Sequence, residues 1–325
     1  MSQEKIEEFL LAIFNEDFIN NNKEYSYISQ IIVITIKSLM PLEDTIGCAI
    51  DYERYEKELK LWYYYRNGGN KPLLNSISTL NESIYWEEFD DTVYERIAPI
   101  ILVNSEWEIA KEEAIKNILY TTGKIPLLFE GLLLSKALFL LINNEETDML
   151  NTLKEEIINF SQIDFIKKYS KYYRIPTEEF PGNFTVEFEK CKIHVINTLN
   201  TLNKGDFPIL EEVIFKKENG KSSYWKGIQS IVGREETKKY EDYFYESMCD
   251  YLYKLRKGYI NPEALKIKKY YLPDIFSFNI GDEFFHTLLN KSKVIERKES
   301  KDYIEIYIQS KSGIYKFFKN KRPSK

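Results

Sequence analysis

Histidine is almost missing from this 325-residue chain: His194 and His286 are the whole supply. A nucleophilic triad therefore has only two candidate bases, and a His-rich zinc centre has no ligands to draw on. Glycine is scarce too, at 13 residues, and no G-x-G-x-x-G, P-loop, G-x-S-x-G or H-E-x-x-H run occurs. That excludes the common dinucleotide, phosphate-loop, esterase and zinc-protease signatures. The three cysteines, Cys48, Cys191 and Cys249, stand far apart and match no zinc spacing. They suit reduced thiols in a cytoplasm. No basic leader opens the chain: MSQEKIEEFL carries acids where a signal peptide carries bases. The most apolar run, 125–142, contains Glu130 and Lys136. It reads as a core helix, too short and too charged for a membrane span.

What is present describes a globular protein, 43% hydrophobic and 30% charged, with enough length for one large core or two domains. The net charge of -6 argues against a surface coated for nucleic acid. The charge is uneven. Residues 290–325 hold eleven Lys or Arg against four Asp or Glu, so this tail is +7 and the remainder -13. The tail reads as a solvated hairpin or as a docking surface for an acidic protein partner. A nucleic-acid role would rest on it alone.

Helical signals dominate the first 265 residues. Ser105-Glu106-Trp107-Glu108 has the form of a capping box, and Trp107, Ala110, Ala114, Ile115 and Ile118 follow at helical spacing. Arg96-Ile97-Ala98-Pro99 has the form of a helix start. Pro126 suits the first turn of PLLFEGLLLSKALFLLI, a helix apolar nearly all round and hence central. Tyr240, Phe244, Met248, Tyr251 and Leu255 step by three or four, with Lys254, Arg256 and Lys257 before Gly258 as a stop signal. Residues 176–183 form the clearest loop. Near the end the period becomes two: 303–308 and 314–318 flank the turn residues 310–313, and 292–297 offers a third strand. His194, in CKIHVINTL, reads as a packed helical residue, and His286 as a partly buried one ahead of the strands.

The chemistry left is that of carboxylates. Glu43-Asp44-Thr45 and Asp90-Asp91-Thr92 each set two acids beside a hydroxyl. Mg²⁺ and Mn²⁺ take such oxygen ligands, and the same cluster at a helix start serves as a cap. The order of segments resembles the ADP-ribosylglycohydrolase family. There an R-x-A-P segment is followed by an amphipathic helix, a T-H-x-x-P segment and a core helix. Here Arg96-Ile97-Ala98-Pro99, the helix after Ser105, residues 119–126 and the long apolar helix follow in that order. The family's D-D-T metal motif precedes its R-x-A-P by about as far as Asp44 precedes Arg96, 52 residues. On this match Glu43-Asp44-Thr45 is the metal candidate and Asp90-Asp91-Thr92 the wall behind the site. The family's second motif, G-D-T-D-T, is matched by Gly233-Arg234-Glu235-Glu236-Thr237. The resemblance spans roughly residues 30 to 262.

The resemblance implies two divalent metals that hold ADP-ribose and a water and cleave a glycosidic bond to the ribose. Carried over, Glu43 and Asp44 would be catalytic, Asp44, Thr45, Glu236 and Thr237 would bind metal, and Arg234 would contact the ligand. The departures bear on activity. Arg234 replaces the family's first aspartate of the second motif, Leu42 replaces a coordinating hydroxyl, and Gly123 replaces a histidine. A guanidinium keeps its proton at any ordinary pH, so Arg234 would stand in for one metal charge. The expected architecture is mainly α: an orthogonal multi-helix bundle of the ADP-ribosylglycohydrolase type over 1–265, then a small antiparallel β hairpin or meander with a basic tail over 266–325. The expected function is that of a degenerate hydrolase, or pseudoenzyme, with Mg²⁺ or Mn²⁺ at one weak site, binding or weakly hydrolysing ADP-ribose-like ligands. The alternative is a non-enzymatic helical interaction protein, an immunity or regulatory partner. Asp44 and Glu236 are expected on one cleft, with Arg234 close by.

Overall fold

The computed structural model describes residues 3–145, 148–160, 162–201, 205–216, 220–233 and 242–321. The architecture among them is mainly α, with a small antiparallel sheet at the C-terminal end. The helical part opens with α1 (Gln3–Asn20), α2 (Tyr27–Ser38), a two-stranded hairpin of β1 (Leu39–Pro41) and β2 (Cys48–Ile50), and α3 (Tyr52–Trp62). It continues through α4 (Lys71–Ser76), α5 (Glu82–Glu87), α6 (Val93–Val103), α7 (Trp107–Thr121) and α8 (Ile125–Asn143). Then come α9 (Met149–Ile158), α10 (Gln162–Tyr169), α11 (Phe184–Thr201), α12 (Pro208–Ile214), α13 (Ser223–Ile231), α14 (Tyr243–Arg256) and α15 (Pro262–Leu265). The sheet is a meander of β3 (Glu283–His286), β4 (Asn290–Glu299), β5 (Tyr303–Ser310) and β6 (Gly313–Asn320).

Helix α8 is the axis of the body, as its all-round apolar sequence requires. Leu133 and Leu138 are fully buried and Leu140 nearly so. By length and composition alone this helix could cross a membrane, but 83% of it is buried inside the protein, where α6, α7, α9, α11 and α12 pack on it. Its one acid is put to use. Glu130 accepts hydrogen bonds from the backbone N–H groups of Ile209 and Leu210 and from the Tyr94 hydroxyl, so it caps α12 from inside the core.

Three local expectations change. Helix α6 starts at Val93, so Pro99 lies inside it rather than ahead of it. A mid-helix proline removes one N–H bond; here every residue of the helix is buried, and packing outweighs the missing bond. Helix α7 starts at Trp107 with Glu106 at the N-cap and no side-chain capping bond, so the Ser105 box does not form. Helix α14 starts at Tyr243, capped by the Asp242 carboxylate, which accepts from the Phe244 N–H; Tyr240 lies outside the described residues. It stops as the sequence predicts. Gly258 has φ +67°, and the N–H groups of Gly258 and Tyr259 close onto the carbonyls of Leu255 and Lys254.

In the sheet, 303–308 pairs with 314–320 across a turn closed by Ser310 and Gly313, as predicted, and Gly313 takes φ +133°. Strand β4 is longer than its predicted counterpart and β3 is an addition. The inner face, with Val294, Ile306, Ile308 and Phe317, forms a second small core with Leu61, Tyr64 and Tyr65 at the end of α3. The Phe318 N–H also donates to the Tyr64 carbonyl at 2.7 Å. His286 is buried at the end of β3. There Nδ1 accepts from the Leu288 N–H, and burial, with Lys37 adding, pushes its pKa down to about 4. His194 is not packed. It lies on the open side of α11, 2.9 Å from Asp206, because Phe188, Val195 and Leu199 claim the inner stripe.

Removing a core contact on α8 should cost far more than removing one at the rim. Leu133→Ala is expected to lower stability by about 2–5 kcal/mol in urea unfolding, and Leu272→Ala, 40% exposed, by less than about 0.5 kcal/mol. Equal losses would contradict the placement of the core.

Candidate functional site

Asp90-Asp91 resolves into one buried acid and one exposed acid. Asp90 and Arg96 are both fully buried, with Arg96 Nη2 3.0 Å from Asp90 Oδ2. A lone charge in such a place would be untenable. The pair survives because nearly every oxygen and proton is engaged. Asp90 Oδ1 accepts from the Thr92 N–H and hydroxyl and from Asn70 Nδ2, and Oδ2 accepts from the Thr121 hydroxyl as well as from Arg96. Arg96 Nη1 donates to the backbone and side-chain oxygens of Asn117 at 2.7 and 2.6 Å. Burial alone would raise the Asp90 pKa. The Arg96 charge and the bonds from Thr121, Thr92 and Asn70 outweigh it and hold the carboxyl below its usual range. Thr92, the N-cap of α6, makes no side-chain cap bond, so the Asp90 carboxylate braces the turn ahead of the helix.

Asp91 faces the other way. It accepts from the Tyr27 hydroxyl at 2.7 Å and from Asn70 Nδ2 at 2.6 Å. Asn70 thus ties both acids to the start of α4, which it also caps. Next to it, Gly68 has φ +93°, and a Cβ there would fall 2.7 Å from the Tyr27 ring. Only glycine accepts both conditions.

Glu43, Asp44 and Thr45 lie exposed at the tip of the β1–β2 hairpin. The hairpin is held by Asn104, whose side chain bonds both the N–H and the carbonyl of Cys48. Lys266 binds Glu43 at 2.7 Å, and this hydrogen bond and charge lower the Glu43 pKa. The partners expected across the site, Arg234, Glu236 and Thr237, lie outside the described residues. Among the described residues no three His, Cys, Asp or Glu side chains form a group that could hold a metal ion. Glu43 already has a cationic partner, so the hairpin tip alone does not fit a metal pair, which needs carboxylates from two segments. Gly123, where the resembling family has histidine, is enclosed: a Cβ would fall 2.4 Å from the Trp86 ring.

A cavity of about 1140 Å³ opens where the sheet meets the helical body. Its walls include 23–25 before α2, 63–69 after α3, Phe244 and Tyr245 on α14, and the β6 edge with Glu305 of β5, with Phe18, Gln30, Val33 and Leu74 from α1, α2 and α4. Tyrosine rings dominate. Tyr25 lies 4.0 Å from Tyr245 and Tyr65 5.1 Å from Tyr315, centroid to centroid. Lys23, Arg66 and Lys316 supply positive charge, with Glu24 and Glu305 opposing. The Arg66 guanidinium lies 4.3 Å over the Tyr63 ring and bonds the Tyr63 carbonyl. Asn67 fixes the turn: its side chain bonds the Tyr25 carbonyl and its own carbonyl accepts from the Tyr27 N–H.

Two consequences can be measured. Arg96→Met leaves Asp90 buried without its counter-charge and should cost about 3–5 kcal/mol in urea unfolding, while the double variant Asp90→Leu/Arg96→Met recovers most of that loss. A single-variant loss under about 1 kcal/mol would show that the pair is not desolvated as described. The second concerns Glu95 on α6, buried against Ser223, whose hydroxyl it accepts. Burial, with the Asp91 and Asp17 charges adding, pushes its pKa up to about 7. A raised carboxyl pKa contributes stability that is present below the unfolded value near 4.5 and is lost as pH rises through 7. Glu95→Gln should flatten the stability profile between pH 5 and 8 by up to about 3 kcal/mol. An unchanged profile would rule Glu95 out as the titrating group.

Comparison with protein-family models and with curated proteins finds no match to this chain, so what the site does has to be argued from its own residues.

Proposed function

We propose that the protein is a ligand-binding relative of the ADP-ribosylglycohydrolases and that the cleft between the helical body and the sheet takes an ADP-ribose-like ligand. Turnover is weak or lost. The observation that carries this reading is the convergence of Lys23 and Arg66 with the tyrosine rings around the Gly68–Gly69 turn. Tyrosine faces accept a purine by stacking. Arginine and lysine take the oxygens of a diphosphate, and a glycine turn lets them approach the backbone. Mg²⁺ or Mn²⁺, at one weak site that draws on Asp44, Thr45, Glu236 and Thr237, belongs to this reading as an accessory and not as its support. The rival reading, an immunity or regulatory partner docking through the basic tail, is weakened by how that tail spends its charge. Lys291, Arg297, Lys298, Lys316, Lys319 and Lys321 each have a carboxylate partner in or beside the sheet.

Titration calorimetry with ADP-ribose, with and without Mg²⁺, tests the proposal. Binding is expected in both conditions, weakened at least tenfold by Arg66→Glu and by Lys23→Glu. Both side chains lie at the surface, where substitution leaves folding intact. No binding at millimolar ADP-ribose, or binding indifferent to both variants, would overturn it. Tight binding that requires two equivalents of Mg²⁺ would replace it with an active hydrolase.

A further inference from the structure

A second, smaller cavity of about 440 Å³ lies on another part of the body, between β2, the start of α3, α7 and residues 171–174. It shares no lining residue with the cleft. Its charged lining is Glu113, Lys116, Lys171 and Arg174, set among Tyr52, Tyr120 and Tyr172. Three cations face one carboxylate, so the cavity wall is +2 in a chain whose net charge is -6. Lys116 pairs with Glu112 and Glu113. Lys171 and Arg174 are different. Among the described residues neither makes an ion pair with a carboxylate. Lys171 lies 4.9 Å over the Tyr172 ring, and Arg174 lies 4.9 Å over the Tyr120 ring while Nη1 donates to the carbonyls of Ser76 and Tyr120. Aromatic faces hold a cation in place without neutralising it.

Behind this wall the core is polar. Tyr52 Oη, Tyr55 Oη, Arg96 Nε and Asn117 Nδ2 are buried there, with Asn117 as the polar neighbour of Tyr52 and Arg96 as that of Tyr55. Tyr55, Arg96 and Asn117 are fully buried, and the Tyr52 ring, which lines the cavity, lies 5.6 Å from the Tyr120 ring and 6.1 Å from that of Tyr55. Cations held on aromatic faces around a cavity, two of them without a carboxylate partner, are the arrangement an oxyanion requires.

We infer that this cavity is a binding site for a small phosphate monoester of sugar size, with Lys171 and Arg174 on the phosphate and Glu113 accepting from the sugar hydroxyls. The size limits the choice. A cavity of this volume belongs to the range that encloses a small organic molecule and exceeds what a bare inorganic anion fills. Each lining ring already has a cation or another ring against it: Tyr120 carries Arg174, Tyr172 carries Lys116 and Lys171, and Tyr52 packs on Tyr55 and Tyr120. That favours a hydroxyl-rich partner over a nucleotide.

Calorimetry on the intact chain with glucose 6-phosphate, against glucose and inorganic phosphate, tests the inference. Glucose 6-phosphate is expected to bind, glucose not at all, and inorganic phosphate at least tenfold more weakly than the ester. Lys171→Gln should weaken the ester at least fivefold, and Arg174→Gln at least tenfold. Lys171 is the cleaner probe, because Arg174 also holds two backbone carbonyls. Arg66→Glu, in the other cleft, should leave the affinity unchanged. Absence of binding, equal affinity for ester and inorganic phosphate, or indifference to Lys171→Gln would each overturn the inference. A loss seen only with Arg66→Glu would move the ligand to the cleft and would equally overturn it.

Discussion

The buried ion pair of Asp90 and Arg96 is the contact around which the helical body is organised. A carboxylate and a guanidinium taken out of water lose several kcal/mol each, which their mutual attraction returns only with full hydrogen bonding. That condition reaches outward into the structure. Thr92 and Asn70 must present their donors to Asp90, and Asn117 and Thr121 must bring the end of α7 onto Arg96. Asn70 in turn bonds Asp91, which holds Tyr27, and the Tyr27 ring fills the space that Gly68 leaves. The position of the glycine turn in the cleft thus follows from the need to satisfy one acid in the core.

The tyrosine content, 25 residues, reads in the sequence as bias. In the folded chain the rings act as seats for cations. Arg66 rests on Tyr63, Arg174 on Tyr120, and both Lys116 and Lys171 on Tyr172. A cation over a ring keeps its full charge and loses some of its freedom, so its ordering is partly met before any ligand arrives. Both cavities are built this way, and their positive potential coexists with an acidic chain for that reason.

How much of this was legible in the sequence depended on how local the signal was. Helix α8 and the β5–β6 hairpin were readable because each carries its own period over many residues, and the stop at Gly258 because one residue type suits that backbone. The β1–β2 hairpin was not, since three-residue strands have no alternation to detect. Pro99 misled because local propensity favours it at a helix start, whereas burial of all of α6 tolerates it inside. His194 misled because two faces of α11 differ by only one position. The cleft could not be read at all: residues 23–25, 63–69, 244–245 and 305–318 meet only through tertiary packing. Asp90 and Arg96 were visible as motif residues, yet that they face each other in the core needed Asn117 and Thr121, some twenty to thirty residues on.

The same pair also decides where the interior's charge comes from. Arginine keeps its proton, so Arg96 enters the interior as a cation or not at all. Its ion-pair partner Asp90 and its bonded side chains Asn117 and Thr121 lie within one stretch that spans α6 and α7. The opposite charges therefore meet over a short loop, at small entropic cost. The neutralising charge for the core is supplied locally and does not have to be carried in from the ends of the helical region.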